Sequence, residues 1–288
     1  MSTPPISKPF TLDTPSGHAI HGLVDLPDAP GPRPTVVIFH GFKGFMEWGF
    51  FPHLAALLRQ RGFVAVRANF SGGGMVPGDD RVADPEAFRD NTFSRELTEG
   101  LALLAATAEA TLIPELAGRV DPERLGLFGH SRGGGTAVLA AATEPWRDRL
   151  KALVTWAAVS TFERFDEATK AHWRERGEIS ILNGRTGQEL PFGVSVLEDL
   201  EAHREALDIA AAAARRQAPW LIVHGAEDEA VAAKEGAVLE RAAAPLVERR
   251  EIPGAGHTFG AKHPFQGPTP HLVEALNLTQ TWFRRYLA

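Results

Sequence analysis

Ser131 lies in Gly129-His130-Ser131-Arg132-Gly133, with Gly134 and Gly135 directly behind it. A serine hydroxyl attacks a carbonyl only when a base removes its proton, and that base needs an anion to fix its tautomer and to stabilise the imidazolium that forms. The chain offers both groups downstream. The stretch His224-Gly-Ala-Glu-Asp228-Glu-Ala-Val231 is an acidic loop after an apolar run, and Ile252-Pro-Gly-Ala-Gly-His257-Thr-Phe carries one histidine in a glycine-rich loop. Ser131 as nucleophile, His257 as base and Asp228 as orienting acid would perform acyl transfer. Asp228 is preferred to its neighbours Glu227 and Glu229 for its place three residues after Gly225. The plainer alternatives are a glycine-rich turn with an incidental serine and an ordinary loop histidine. Three matching positions argue against them.

Such a serine also needs donors aimed at the oxyanion that forms on the attacked carbonyl. The backbone N–H groups of Phe42, in Phe39-His40-Gly41-Phe42, and of Arg132 are the two on offer. His40 and His224 each precede a glycine at the end of an apolar run. The expectation for both is structural, bonding loop carbonyls. His263 and His271 have no carboxylate at ligand spacing, so no metal is expected, and the chemistry calls for no cofactor.

The serine turn works only between a strand and a helix, and the flanking patterns supply both. Leu125-Gly-Leu-Phe128 reads as a strand and 133–143 as a helix. Val36-Val-Ile-Phe39, Phe63-Val-Ala-Val66, Ala152-Leu-Val-Thr-Trp156 and Trp220-Leu-Ile-Val223 are continuous apolar runs, the mark of strands buried on both faces. Helices are expected over 51–61, 91–112, 210–214, 231–243 and 271–286, with a further strand over 246–252. Residues 8–27 alternate about Pro15-Ser16-Gly17 and read as a β-hairpin. Strand and helix in alternation with short connections predict an α/β fold, a mostly parallel twisted sheet with helices on both faces. Residues 161–208 exceed what one crossover requires. They read as a helix over 162–176, then a hairpin about Asn183-Gly184, inserted into a core formed by 1–160 and 209–288. This insertion is expected to be a lid over Ser131, with Phe162, Phe165 and Trp173 facing substrate; a decoration on the flank of the domain is the alternative.

Composition narrows the function classes. Of 288 residues 44% are hydrophobic and 23% charged, the balance of a globular chain with a sizeable core, and the formal charge of -6 leaves no basic footprint for nucleic acid. The absence of cysteine excludes a thiolate nucleophile, disulfides and zinc–thiolate sites. Residues 1–10 lack the basic start and apolar core of a secretory signal, and no run is long enough to span a membrane. The expectation is a soluble cytoplasmic protein acting on a small-molecule ester, with no feature that sets an oligomeric state.

His40-Gly41-Phe42, Gly129-His-Ser-Arg-Gly133, the order Ser131–Asp228–His257 and a short lid together resemble the α/β-hydrolase superfamily over nearly the whole chain. Within it the chain is similar to bacterial esterases and acyl hydrolases near the cinnamoyl (feruloyl) esterase and dienelactone hydrolase-like groups. The resemblance implies a serine esterase with the same triad and oxyanion positions. Two departures stand out. Dienelactone hydrolases proper use a cysteine nucleophile, and Asn69-Phe-Ser-Gly-Gly-Gly-Met75 replaces the Asp/Arg-rich loop common at that place. An amide or peptide hydrolase similar to the prolyl oligopeptidase catalytic domain would carry the same triad. Only about thirty residues precede the first core strand, too few for one propeller blade of such a peptidase. A non-catalytic binding protein on the same scaffold would be expected to lack a triad member, and none is missing.

Overall fold

The computed structural model describes residues 7–243 and 245–288. Most of the 1–10 stretch discussed above therefore lies outside the described residues. Among the described residues ten strands form, β1 (Ser7–Asp13), β2 (Ala19–Asp25), β3 (Arg33–Phe39), β4 (Val64–Asn69), β5 (Val120–His130), β6 (Leu150–Trp156), β7 (Glu178–Asn183), β8 (Gln188–Gly193), β9 (Trp220–Gly225) and β10 (Val247–Ile252). Eight of them make one sheet in the order β1-β2-β4-β3-β5-β6-β9-β10. In that sheet β4, β3, β5, β6, β9 and β10 run parallel, while β1 and β2 form the antiparallel hairpin at one edge.

The continuous apolar runs are explained by cover on both faces. In β3, Val37 and Phe39 pack into one core while Val36 and Ile38 pack into the other. The second core is closed by α1 (Phe51–Gln60) and the last helix, α10 (Pro270–Leu287), through Leu54, Leu58, Leu272 and Phe283. The first is closed by α3 (Phe93–Ala108), α4 (Arg132–Ala141), α8 (Ile209–Arg215) and α9 (Lys234–Ala242), through residues such as Leu103, Val138, Ile209 and Leu239. Two short helices, α2 (Pro85–Arg89) and α5 (Trp146–Arg149), complete this layer. None of the described helices is long and apolar enough to cross a membrane.

Between β6 and α8 the chain forms α6 (Glu167–Arg176), the β7–β8 hairpin and α7 (Val194–Ala202). The helix expected over 162–176 begins only at Glu167, because Asp166 caps it: its carboxylate accepts the Thr169 N–H at 2.8 Å. Asn183 and Gly184 do not form a two-residue turn. Asn183 is the last paired residue of β7, opposite Gln188, and its carbonyl accepts from the N–H groups of Thr186 and Gly187. Helix α7, absent from the sequence reading, docks on the start of α3: Asp199 accepts the N–H groups of Phe93 and Ser94, both at 3.0 Å. These are the orphan donors of the α3 N-terminus, so the insertion caps a core helix.

Candidate active site

The C-terminal end of β5, at the middle of the sheet, turns directly into α4 at Ser131. That residue has φ 58° and ψ -122°, a conformation unusual for a non-glycine residue and one that requires support. Its N–H donates to the Trp156 carbonyl on β6 at 2.9 Å, and its carbonyl accepts from Gly134 at 3.0 Å and Gly135 at 3.2 Å. The flanking glycines are dictated by space. A Cβ on Gly129 would stand 2.3 Å from the Gly133 carbonyl oxygen, and one on Gly133 would stand 2.2 Å from that of His40. A strand and a helix meet this closely only where both positions lack a side chain.

The candidate carboxylate and histidine come from the ends of β9 and β10, two and three strands along the sheet from β5. Asp228 follows β9 and is buried, and His257 follows β10. Asp228 Oδ2 accepts from His257 Nδ1 at 2.8 Å, while Oδ1 accepts the backbone N–H groups of Ala230 at 2.9 Å and Val231 at 2.8 Å. His224, fully buried on β9, lies 3.4 Å from Oδ2 and donates through Nε2 to the Val231 carbonyl at 2.8 Å. Burial would raise the Asp228 pKa. The bonds from His224, His257 and Val231 outweigh it and hold the carboxyl well below the usual carboxylate range. With Nδ1 engaged, Nε2 of His257 is the nitrogen left to accept a proton. Glu227 and Glu229 are exposed.

His130 adds a tie that the motif alone did not disclose. Its Nε2 donates to the His257 carbonyl at 3.0 Å, and the two rings lie 4.8 Å apart. Desolvation, reinforced by the nearby His257 ring, pushes its pKa down to about 3, so this ring stays neutral over the ordinary pH range. His40 is structural, as expected: Nδ1 bonds the Gly41 carbonyl at 2.9 Å and Nε2 accepts the Phe70 N–H at 3.1 Å.

Gly41 abuts the serine so closely that a Cβ there would lie 2.9 Å from Ser131 Cβ. The N–H groups of Phe42 and Arg132 have no acceptor among the described residues. The Arg132 side chain is occupied elsewhere. It pairs with buried Glu96 at 2.8 Å, donates to Asn91, and lies against the rings of Phe42 at 5.3 Å and Phe93 at 4.3 Å.

Two cavities open on the serine, and Ser131 and His257 line both. The larger, about 530 Å³, is walled by Phe42, Phe93, Phe162, Phe165, Phe192 and Val231. The smaller, about 240 Å³, is walled by Trp48, Lys43, His130, Thr258 and the hairpin residues Asn183 to Arg185. Of the three insertion side chains expected at the pocket, Phe162 and Phe165 line it and Trp173 does not. Trp173 is only 1% exposed, donates through Nε1 to the Phe192 carbonyl at 2.8 Å, and stacks on the Phe192 ring. It lies a layer behind the wall because its indole N–H finds a buried acceptor there. Phe192, Phe93, Lys43 and Arg185 were not anticipated; only tertiary packing brings them together. Among the described residues no three His, Asp or Glu side chains are grouped as a metal would require.

Comparison with known proteins agrees with this architecture. The dienelactone hydrolase family model matches residues 20–173, and the prolyl oligopeptidase family model matches residues 107–288. The chain belongs to the α/β-hydrolase superfamily. Both families lie within it, and this hydrolase matches each over more than half its length. Est1E from Butyrivibrio proteoclasticus, solved with ferulic acid bound, superposes with a TM-score of 0.72 at 23% identity, covering 96% of this chain and 98% of that one. A hydrolase structure from Agrobacterium vitis S4 gives 0.73 at 21% identity over 98% and 100% of the two chains. Dienelactone hydrolase from Anabaena variabilis gives 0.63 at 18% identity over 99% of each. These likenesses establish the fold. In sequence, 2,6-dihydropseudooxynicotine hydrolase of Paenarthrobacter nicotinovorans is 26% identical over 222 residues. The match takes in 75% of this hydrolase, which spans half the length of that curated relative.

Proposed function

We propose that this hydrolase cleaves carboxylic esters through an acyl-enzyme formed on Ser131. The observation that carries the reading is the 2.8 Å bond between Asp228 and His257 Nδ1, made where His257 and Ser131 line common cavities. His257 Nε2 takes the hydroxyl proton as Ser131 Oγ attacks the carbonyl, and Asp228 stabilises the imidazolium. The oxyanion is received by the N–H groups of Phe42 and Arg132, both free of acceptors among the described residues. Collapse of the intermediate breaks the C–O bond, and His257 returns the proton to the leaving alcohol. Water, activated by the same histidine, then releases the acid and regenerates Ser131.

The insertion 161–208 acts in this reading as a roof over the site that sets preference for the apolar portion of the substrate, through Phe162, Phe165 and Phe192. An apolar pocket of this kind discriminates by about 1–3 kcal/mol per methylene. The match of 107–288 to the prolyl oligopeptidase family gives an amide-hydrolase reading some standing. A series of aryl esters of graded acyl length, run beside the amide of matching shape, tests both. Ester turnover that varies with acyl length and far exceeds amide turnover supports esterase action. Amide cleavage at a comparable rate would replace it with the peptidase reading.

A further inference from the structure

The two cavities beside Ser131 differ in charge as well as in size. No aspartate or glutamate lines either one among the described residues. In the larger cavity Arg132 pairs with Glu96 at 2.8 Å and Arg164 with Glu235 at 2.7 Å, which leaves Lys43, shared by both cavities, as its one cation with no carboxylate partner among the described residues. The smaller cavity adds Arg185 to that shared lysine. Lys43, one residue beyond the Phe42 amide, donates to the Leu182 carbonyl at 3.1 Å and has no carboxylate within ion-pair distance among the described residues. Burial lowers its pKa and no acidic neighbour opposes that shift. Arg185, at the tip of the β7–β8 hairpin, has a side chain 19% exposed, and its terminal nitrogens lack hydrogen-bond partners. Its nearest carboxylate, on half-exposed Asp80, is 3.6 Å away, and the guanidinium otherwise lies against the Phe45 ring at 5.2 Å.

Lys43 without a carboxylate partner, beside Arg185 whose ion pair with half-exposed Asp80 is a loose 3.6 Å, leaves a positive charge in the smaller cavity that a ligand can answer. We propose that the smaller cavity is a subsite for a carboxylate on the substrate, met by Lys43 and held in the field of Arg185. The preferred ester would then be apolar on one side of the scissile carbonyl and anionic on the other. This rests on the esterase reading above and specifies its substrate class. Lys43 also spans the oxyanion loop and the hairpin, so a carboxylate bound there would tighten the contact between core and roof.

The test uses three phenyl-type esters, phenyl butanoate, 4-carboxyphenyl butanoate and the phenyl hemiester of glutaric acid, with the 4-carbamoyl isostere of the second as a fourth, neutral control. The first is neutral, the second carries charge on the leaving group, and the third carries it on the acyl group. One charged ester should exceed its neutral counterpart in kcat/KM, and its KM should rise with added salt as the attraction is screened. In Lys43→Met and Arg185→Gln the charged-to-neutral ratio should fall, by about ten-fold where a charge-assisted bond is lost. Arg185 lies outside the oxyanion loop, so its variant reads the subsite even where Lys43→Met disturbs that loop. Arg185→Glu should turn the preference away from anions. Charged and neutral esters turned over with the same ratio in wild type and variants would overturn the subsite while leaving the esterase reading standing. No turnover of any ester would overturn both.

Discussion

Three carboxylates stand in a row at 227–229, yet only Asp228 is buried and bonded to the histidine. Asp228→Asn should therefore lower kcat by about 10⁴-fold, as when a protease triad aspartate becomes an amide. Glu227→Gln and Glu229→Gln should stay near the wild-type rate, and steady-state kinetics on one aryl ester separates the three. Loss at Glu227→Gln instead would move the acid by one residue. His130 supports a second prediction, about pH. Its folded pKa of about 3 lies below the unfolded value near 6.5, so between those values the unfolded chain binds more protons. His130 thus weakens the fold progressively as pH falls from about 6.5 toward 3, and contributes no such penalty above that window. Urea denaturation at pH 7 and pH 4.5 should show a smaller loss of stability for His130→Gln than for wild type; an equal loss would mean that His130 is not the buried neutral group described. The candidate triad positions were legible because each proposed role demands a residue type at a strand end. The tie from His130 to the His257 carbonyl was not, since nothing in a motif states which loop a neighbouring ring will reach.

At the scale of elements, the insertion is fastened rather than hinged at several points. Trp173 is bonded and stacked to β8, Asp199 caps α3, and Gln188 bonds both the N–H and the carbonyl of Val82. Phe162 and Phe165 line the large cavity while Trp173 braces the wall behind it, so their variants should separate. Phe162→Ala and Phe165→Ala should change the ranking of kcat/KM across acyl lengths. Trp173→Ala should cost stability, about 3–5 kcal/mol by the usual penalty for emptying a large aromatic site, measured as a lower Tm. If all three variants keep the wild-type ranking and only melt earlier, the insertion is structural and does not select substrate. The elbow tests the element scale from the other side: Gly133→Ala would push a methyl into the His40 carbonyl and should abolish activity through loss of the turn. The hairpin was legible in the Asn183-Gly184 pair between β-prone flanks. The start of α6 was misplaced because Phe162 and Phe165 have helical spacing but precede the cap at Asp166. Helix α7 escaped notice because its apolar residues follow the hairpin without a break and declare a face only once α3 is there to receive it.

For the whole molecule, the parallel sheet was visible from the start, since strands covered on both faces must be apolar throughout and their alternation with helices leaves few topologies. The strand order is a different matter: β4 lies outside β3, and β9 beside β6 across a long insertion, pairings decided by packing that no local pattern records. That order brings the ends of β5, β9 and β10 to one rim and so assembles Ser131, Asp228 and His257 from positions nearly 130 residues apart in the chain. The account of function stands on Ser131 being the nucleophile of that assembly. The most direct test is covalent capture: label the folded chain with a fluorophosphonate, find the modified residue by peptide mass spectrometry, and follow aryl-ester turnover in the same sample. The account predicts one adduct, on Ser131, turnover lost in step with labelling, and neither labelling nor turnover in Ser131→Ala, whose kcat should fall by about 10⁶-fold. An adduct elsewhere, or ester turnover that survives in Ser131→Ala at more than about a tenth of the wild-type rate, far above the residual left by triad loss, would contradict it.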